Sequence, residues 1–252
     1  MPNSSSCTAV LPYDSISQVP SDLSGLTRPP LLAEVDLIAL AWKNPYETKN
    51  KMDAMLRRRV DREYFLLGAQ AHTSDGLGIR WIINNATLDM SRLKNFTTPL
   101  LLDLYNGNEQ NLPNDVTYTV KDNELVDIVL QNTVALNGVC EIHPFHMHGH
   151  KFWVHSYGAG MYDKSISDSI SVVHLVLRDS LILYASEYAY FTPNRTTSNY
   201  LKACGWTKLR MIADNPGLWI FHCHIGAHAL MGMNILIKED TNKLEMHSLP
   251  QH

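Results

Sequence analysis

Residues 220–233 read IFHCHIGAHALMGM, and this stretch determines how the rest of the chain is interpreted. It places Cys223 between His222 and His224, then adds another histidine five residues after the cysteine and a methionine five residues after that. Side chains alternate between the two faces of an extended strand, so the cysteine points to one face and its neighbours to the other. The stretch therefore predicts a strand that contributes to two different sites.

A second cluster, EIHPFHMHGHKFWV at residues 141–154, follows the same alternation. In an extended segment His146 and His148 share one face, and His143 points to the other. The predicted set on the cysteine side is His143, Cys223, His228 and Met233. One thiolate, two imidazoles and a weakly binding thioether suit copper in a trigonal site with a long axial methionine. Copper is therefore the metal that we expect there.

The opposite face carries imidazoles without a thiolate. Its predicted members are His146, His148, His222 and His224. Imidazole sets suit copper that meets oxygen ligands or dioxygen, and the backbone at Cys223 would give an electron a through-bond route to this face. Structural zinc is the alternative, but the paired elements typical of zinc sites do not fit all these residues. Histidines packed singly in a core would not fall into two tight clusters.

Short β-rich runs alternate with turn signals on both sides of these clusters. They are YFLLGAQ (64–70), IRWIINN (79–85), LVDIVLQNTV (125–134), KFWVHSY (151–157), TKLRMIAD (207–214), GLWIFHCH (217–224) and MNILIKE (233–239). This pattern predicts an all-β sandwich or barrel of Greek-key type over residues 61–240. We interpret residues 1–60 as a linker or wrapping segment with a short amphipathic helix from Glu47 to Val60, and residues 241–252 as a tail.

Composition narrows the classes of partner. A formal net charge of -4 gives no electrostatic reason to expect nucleic acid or an anionic membrane, and no apolar run reaches the 18 residues of a membrane span. The start of the chain does not resemble a signal peptide. Sequons for N-glycosylation begin at Asn3, Asn85, Asn95 and Asn194. Four cysteines are too few for a disulfide framework, and a bridge among Cys7, Cys140 and Cys204 remains open.

The runs HPFHMHGHKFWVHSYGAG and GWTKLRMIADNPGLWIFHCHIGAHALMGM resemble the two copper signatures of the third, C-terminal cupredoxin domain of multicopper oxidases. The resemblance is closest to plant-type ascorbate oxidases and laccase-like proteins, and it extends roughly from Arg62 to Glu239. It implies a cupredoxin-like fold, copper as cofactor, and one-electron oxidation of a small reductant coupled to reduction of O2 to water. It also implies a secreted, extracellular glycoprotein.

The resemblance assigns roles to individual residues. His143, Cys223, His228 and Met233 match type 1 copper ligands, His146 matches a type 2 ligand, and His148, His222 and His224 match ligands of the type 3 pair. His150 matches a histidine of the motif that is not a ligand, which implies a structural or supporting role. Trp81 matches a tryptophan that lines the reductant pocket, where His228 would also meet the reductant. A tryptophan of the core is the open alternative for Trp81.

The sequence departs from the family pattern at three points. Family enzymes complete the three-copper site with two H-x-H pairs on their first domain, and no such pair occurs among the remaining histidines: His72, His150, His155, His174, His247 and His252. The segment 161–204 diverges from the family. Gly226 and Ala227 replace acidic and bulky residues, which puts an acid-assisted proton transfer there in doubt.

These departures predict a fragment or truncated form that is inactive as an oxidase by itself. The missing N-terminal cupredoxin domains, or a second copy of this chain, would complete the site. A non-catalytic blue-copper electron-transfer or copper-binding module is the alternative. A copper nitrite reductase ranks lower, because that class lacks the symmetric HCH.

Overall fold

The computed structural model describes residues 58–72, 78–169, 177–185 and 202–243. Within these ranges the strands are β1 Arg62–His72, β2 Ile79–Ile83, β3 Thr117–Val120, β4 Leu125–Thr133, β5 His143–Met147, β6 Phe152–Gly158, β7 Leu177–Arg178, β8 Ser180–Leu183, β9 Ala203–Ile212, β10 Gly217–Cys223 and β11 Asn234–Glu239. The short α-helices are α1 Met90–Leu93, α2 Leu100–Tyr105, α3 Lys164–Ser169 and α4 Gly226–Leu230. No helix in the described ranges has the length and apolar character needed to cross a membrane.

The strands form two sheets. One has six strands in the order β2-β1-β4-β9-β6-β7, and the other has five in the order β3-β11-β10-β5-β8. The β1–β4 and β3–β11 pairs are parallel, and the remaining neighbours are antiparallel. Most neighbours in each sheet are distant in the chain, so crossovers between the sheets hold the domain together. This architecture confirms the predicted all-β class.

Strand β4 is buried along its whole length, including its polar residues Asp127, Gln131, Asn132 and Thr133. Its inward residues, including Ile128 and Leu130, belong to the main apolar cluster between the sheets. On its other face Asp127 accepts two hydrogen bonds from Arg210, at 2.6 and 2.8 Å, and lies 3.0 Å from Lys208 Nζ. Burial alone would raise the pKa of Asp127, but these cations outweigh it and lower the pKa. The buried ion pairs of Asp127 with Arg210 and Lys208 therefore connect β4 to β9 on this face of the sheet.

The seven predicted β-rich runs coincide with β1, β2, β4, β6, β9, β10 and β11. The short strands β3, β7 and β8 and the helices α1 and α2 were not predicted. The predicted helix from Glu47 to Val60 lies outside the described residues except for 58–60, which are not helical. Of the predicted tail, only residues 241–243 are described, and they form a 3-10 turn.

The divergent segment leaves and rejoins the sheet at neighbouring points. Gly205 N donates to Gly160 O at 3.1 Å, and Gln131 Nε2 donates to the carbonyl oxygens of both glycines. In its described parts the segment adds β7 to the edge of the six-stranded sheet and β8 to the edge of the five-stranded sheet. A disulfide between Cys140 and Cys204 ties its end to the loop before β5, which settles the cysteine pairing that the sequence left open.

Candidate metal centre

The two histidine-rich stretches lie side by side as antiparallel strands. Strand β10 pairs with β5 so that His222 lies opposite His146 and Cys223 lies opposite Phe145. Burial follows the alternation predicted from the sequence, because Cys223 and His143 have no exposed area while His222 and His146 are half-buried. One ladder therefore presents a thiol to the inside of the domain and imidazoles to the outside.

Three soft donor atoms converge on the inner side. His143 Nδ1 and His228 Nδ1 lie 3.8 and 3.7 Å from Cys223 Sγ, and the two nitrogens are 3.2 Å apart. In the described part of the chain this trio is the one group of three His, Cys, Asp or Glu residues whose donor atoms all lie within 4.8 Å of one another. The donor set fits copper in a trigonal His₂Cys site and contains no carboxylate that a harder cation would favour.

Burial sets the protonation states of these ligands. It lowers the pKa of His143 to about 3, with a further contribution from His228, and it lowers the pKa of His228 as well. Both rings are therefore neutral near pH 7, the form that binds metal. Burial raises the pKa of the Cys223 thiol to about 11, so the free thiol keeps its proton until a metal replaces it.

Helix α4 and the turn after it bring the remaining predicted ligands to the same place. His228 lies on α4, a short helix that the sequence patterns did not predict. Met233 is fully buried, and its carbonyl oxygen accepts a hydrogen bond from Cys223 N at 3.0 Å. The methyl end of Met233 approaches Gly68, where an added Cβ would lie 3.1 Å from it. The backbone of Met233 is therefore bonded to that of Cys223, and both side chains belong to the main apolar cluster.

Trp81 forms the floor under the two inner imidazoles. Its side chain has no exposed area, and its ring lies 4.7 Å from the His143 ring and 5.0 Å from the His228 ring. This placement fits the core alternative that the sequence left open for Trp81. His228, by contrast, keeps part of its ring at the surface, with its side chain 13% exposed.

The outer face gathers the other four predicted ligands. His148 Nε2 and His222 Nε2 lie 3.2 Å apart, and the His146 ring lies 4.9 Å from His148 and 6.0 Å from His224. The Nδ1 atoms of His146 and His222 each lie 3.0 Å from a carbonyl oxygen, which only accepts, so their protons sit on Nδ1 and leave Nε2 free for a metal. A cleft of about 490 Å³ opens beside His146 and His148.

His150 is not part of either ligand group. Its Nε2 lies 2.6 Å from Glu239 Oε2, and neither side chain has exposed area. The other oxygen of Glu239 accepts a hydrogen bond from Asn215 N, and Asn215 Nδ2 donates to Gly149 O at 2.8 Å. This buried network fixes the turn that follows His148, in line with the supporting role expected for His150.

Two acidic residues beside the sites were missed by the sequence interpretation. Glu141 Oε2 lies 3.2 Å from His228 Nε2, and Asp179 Oδ1 lies 3.9 Å from His146 Nδ1. Glu141 lies in the loop before β5, so strand alternation does not indicate which way its side chain points. Asp179 belongs to the divergent segment, whose pairing with β5 has no signal in the sequence.

Comparison with known proteins places this geometry in a family. The family model of multicopper oxidases matches residues 82–243, more than half of the chain. The chain belongs to the multicopper oxidase family. Copper is therefore the cofactor that the family implies, and the domain is related to ascorbate oxidase and laccase.

Individual relatives agree with this assignment. This multicopper oxidase chain is 30% identical to L-ascorbate oxidase of Cucurbita maxima over 212 residues, which cover 74% of the chain and 32% of that enzyme. It is 38% identical to L-ascorbate oxidase of Nicotiana tabacum over 123 residues, 48% of the chain and 18% of that enzyme. The chain thus spans about a third of the length of the Cucurbita maxima enzyme.

A solved structure shares the fold. The crystal structure of laccase from Botrytis aclada aligns with a TM-score of 0.54 at 23% identity, covering 73% of this chain and 29% of that laccase chain. At this level of identity the likeness shows the cupredoxin-type fold of the multicopper oxidase.

Proposed function

We propose that this chain is the C-terminal copper-binding domain of an oxidase that takes single electrons from a small reductant and uses O2 as the final acceptor. The observation that carries the proposal is the convergence of His143, Cys223 and His228 on one face of the same ladder that presents His222 and His224 on the other. Copper, when bound, supplies the one-electron redox chemistry at both faces.

The proposed ligand assignment follows the two faces. His143, Cys223 and His228 would hold type 1 copper together with Met233. His146 would hold type 2 copper, and His148, His222 and His224 would hold the type 3 pair. The partly exposed edge of the His228 ring is the proposed point where the reductant meets the domain, and the Trp81 ring packs against that imidazole.

The chain itself provides the path between the faces. Cys223 is bonded through its backbone to both His222 and His224, so an electron that arrives at the thiolate needs no jump through space to reach the imidazoles. Strand β10 is paired with β11 on one side and β5 on the other, which limits changes of geometry when the charge of the site changes. Such rigidity favours electron transfer.

The imidazole face supplies half of the ligands that a three-copper site would need. His148 and His224 are exposed, and their neighbours on the face are half-buried, so the face is open to a complementary surface. We propose that a further cupredoxin domain with its own H-x-H pairs covers it, with a second copy of this chain as the competing candidate. The disulfide between Cys140 and Cys204 supports the proposed extracellular location, because such bonds persist in oxidising compartments.

Copper loading of the purified chain tests the proposal. We expect about one tightly bound copper ion per chain, an intense visible thiolate-to-copper band with the spin-resonance signal of type 1 copper, and no uptake of oxygen. Cys223→Ser should abolish the band, whereas His155→Gln, a histidine outside both ligand groups, should retain it. A chain that binds copper without the thiolate band would refute the ligand assignment.

A non-catalytic blue-copper module remains the second candidate, favoured by the finding that only the thiol trio forms a compact donor group within the described residues. The two candidates separate in a chimera that joins this chain to the remaining domains of the Cucurbita maxima relative. Oxygen uptake that depends on His222 and His224 would support the oxidase. A chimera with full type 1 copper and no oxygen uptake would support the electron-transfer module.

A further inference from the structure

The two inner imidazoles have different surroundings on the side that faces away from the thiol. His143 Nε2 is buried and has no hydrogen-bond partner among the described residues. His228 Nε2 lies 3.2 Å from Glu141 Oε2, and the Glu141 side chain is 26% exposed. One ligand ring therefore has a carboxylate beside its Nε2, while the Nε2 of the other ring has no hydrogen-bond partner among the described residues.

The position of Glu141 is fixed by the surrounding chain. Its carbonyl oxygen accepts a hydrogen bond from Asn132 Nδ2 at 2.7 Å, and its Oε1 accepts one from Asn137 Nδ2 at 3.3 Å. The preceding residue, Cys140, is linked by the disulfide to Cys204 at the start of β9. The separation between the Glu141 carboxylate and His228 is therefore fixed by hydrogen bonds to the backbone and side chain of Glu141 and by the disulfide at the preceding residue.

We infer that Glu141 is a positioning residue that holds His228 as a metal ligand and biases the thiol site toward the more highly charged metal ion. This inference rests on the proposed function of the site. An ionised carboxylate only accepts, so it favours the proton of the neutral ring on Nε2 and leaves the Nδ1 lone pair directed at Cys223. Carboxylates beside a ligating imidazole raise its basicity and fix its orientation.

The same charge discriminates between oxidation states. A negative group near the site stabilises Cu(II) more than Cu(I), because attraction grows with the charge of the ion. Glu141 therefore lowers the reduction potential of the site relative to a chain without it. A residue that acted only through folding would change stability and leave the potential of the folded protein unchanged.

Two substitutions and one matched control test this role. Glu141→Gln keeps an acceptor oxygen and removes the charge, and Glu141→Ala removes both. Glu109→Gln is the control, because it removes the same charge from an ion pair with Lys238 of β11. Lys238 lies opposite Leu218 in the β10–β11 ladder, at the other end of β10 from Cys223. Each variant is measured for Co(II) and Cu(II) affinity by competition, for midpoint potential, and for the tautomer of His228 by nitrogen NMR of the metal-free chain.

The expected order of divalent-ion affinity is parent and Glu109→Gln, then Glu141→Gln, then Glu141→Ala, with the last about tenfold below the parent. The midpoint potential should rise in both Glu141 variants. A tenfold greater loss for Cu(II) than for Cu(I) corresponds to about 59 mV for a one-electron couple. In the metal-free chain, the Nε2–H tautomer of His228 should dominate in the parent and lose population in Glu141→Ala.

The inference is overturned if both Glu141 variants match Glu109→Gln within about twofold in affinity and show its potential and its tautomer. Failure of the proposed function gives a different result, since the parent chain would then bind Co(II) and Cu(II) without a thiolate band. The tautomer measurement needs no metal, so it reports on Glu141 in either case.

Discussion

Replacement of Gly149 by alanine tests how the turn beyond His148 is built. Gly149 lies between His148 and His150 with φ at +71°, in the left-handed region. An added Cβ would overlap the ring of Trp219. That ring cannot turn away freely, because Trp219 Nε1 donates to Asn215 O at 2.7 Å.

Two separate costs determine how much Gly149→Ala lowers the free energy of unfolding. A side chain in the left-handed region costs about 1–2 kcal/mol, and forcing a methyl group into a packed site costs about 1–3 kcal/mol. Gly149→Ala should therefore lower the free energy of unfolding by about 2–5 kcal/mol. Gly138 is the matched control, because its φ is +81° and an added Cβ there meets nothing within 4 Å. Gly138→Ala should show the first cost alone.

Urea denaturation of the metal-free chain, followed by far-ultraviolet circular dichroism, measures both variants. The difference between Gly149→Ala and Gly138→Ala isolates the overlap with Trp219, and it should exceed about 1 kcal/mol. Equal losses in the two variants would refute the packing argument and leave only backbone conformation. Co(II) binding at the thiol should persist in folded Gly149→Ala, because Cys223 faces the opposite side of the ladder.

Three further outcomes follow from the structure. Burial raises the pKa of the Cys223 thiol to about 11, so Zn(II) binding at pH 7 should release about one proton. The Zn(II) affinity should then rise about tenfold per pH unit between pH 7 and 9. Calorimetry in buffers of different ionisation enthalpy measures both the proton release and the affinity. Burial, followed by the charges of Lys208 and Arg210, lowers the pKa of His155 to about 4, so between pH 6.5 and 4 the unfolded chain binds a proton that the folded chain does not, and the parent loses stability as the pH falls. His155→Gln should reduce this loss by about 1–2 kcal/mol after allowance for partial exposure. The same loss of stability in parent and variant, measured by urea denaturation at pH 6.5 and pH 4, would contradict this prediction. Removing the Cys140–Cys204 bridge by paired serine substitutions should lower the free energy of unfolding by about 2–5 kcal/mol, and a thiol reductant should then have no further effect.

Much of the fold could be predicted because its central strands have strong local signals. The β4 run is rich in branched apolar residues and is buried on both faces, and β10 and β11 are short, largely apolar runs next to clear turn residues. The missed elements are short. Strand β3 has four residues at a sheet edge, and α1 has four residues, less than is needed for a helical period to be visible. Strand β8 depends on pairing with β5, which only tertiary structure provides.

The candidate site was more predictable than the loops around it. Successive side chains of a strand point to opposite faces, so adjacency in the sequence was enough to assign Cys223 to one face of β10 and His222 and His224 to the other. The contact between Glu141 and His228 depends on how helix α4 returns beside the loop before β5, and no local pattern records that path. The contact between Asp179 and His146 could not be predicted for the same reason, because it joins chain segments that are distant in sequence.

Strand register is the condition on which both faces depend. A slip of one residue in β10 would turn Cys223 outward and bury His222, because side-chain direction has a period of two. The ladder resists this slip on both edges, since His222 lies opposite His146 of β5 and Asn234 of β11. Asn234 Nδ2 also donates to Ala229 O of α4 at 2.7 Å. The helix that carries His228 is therefore tied to the ladder that carries Cys223, so the thiol and this imidazole keep their mutual position as one unit.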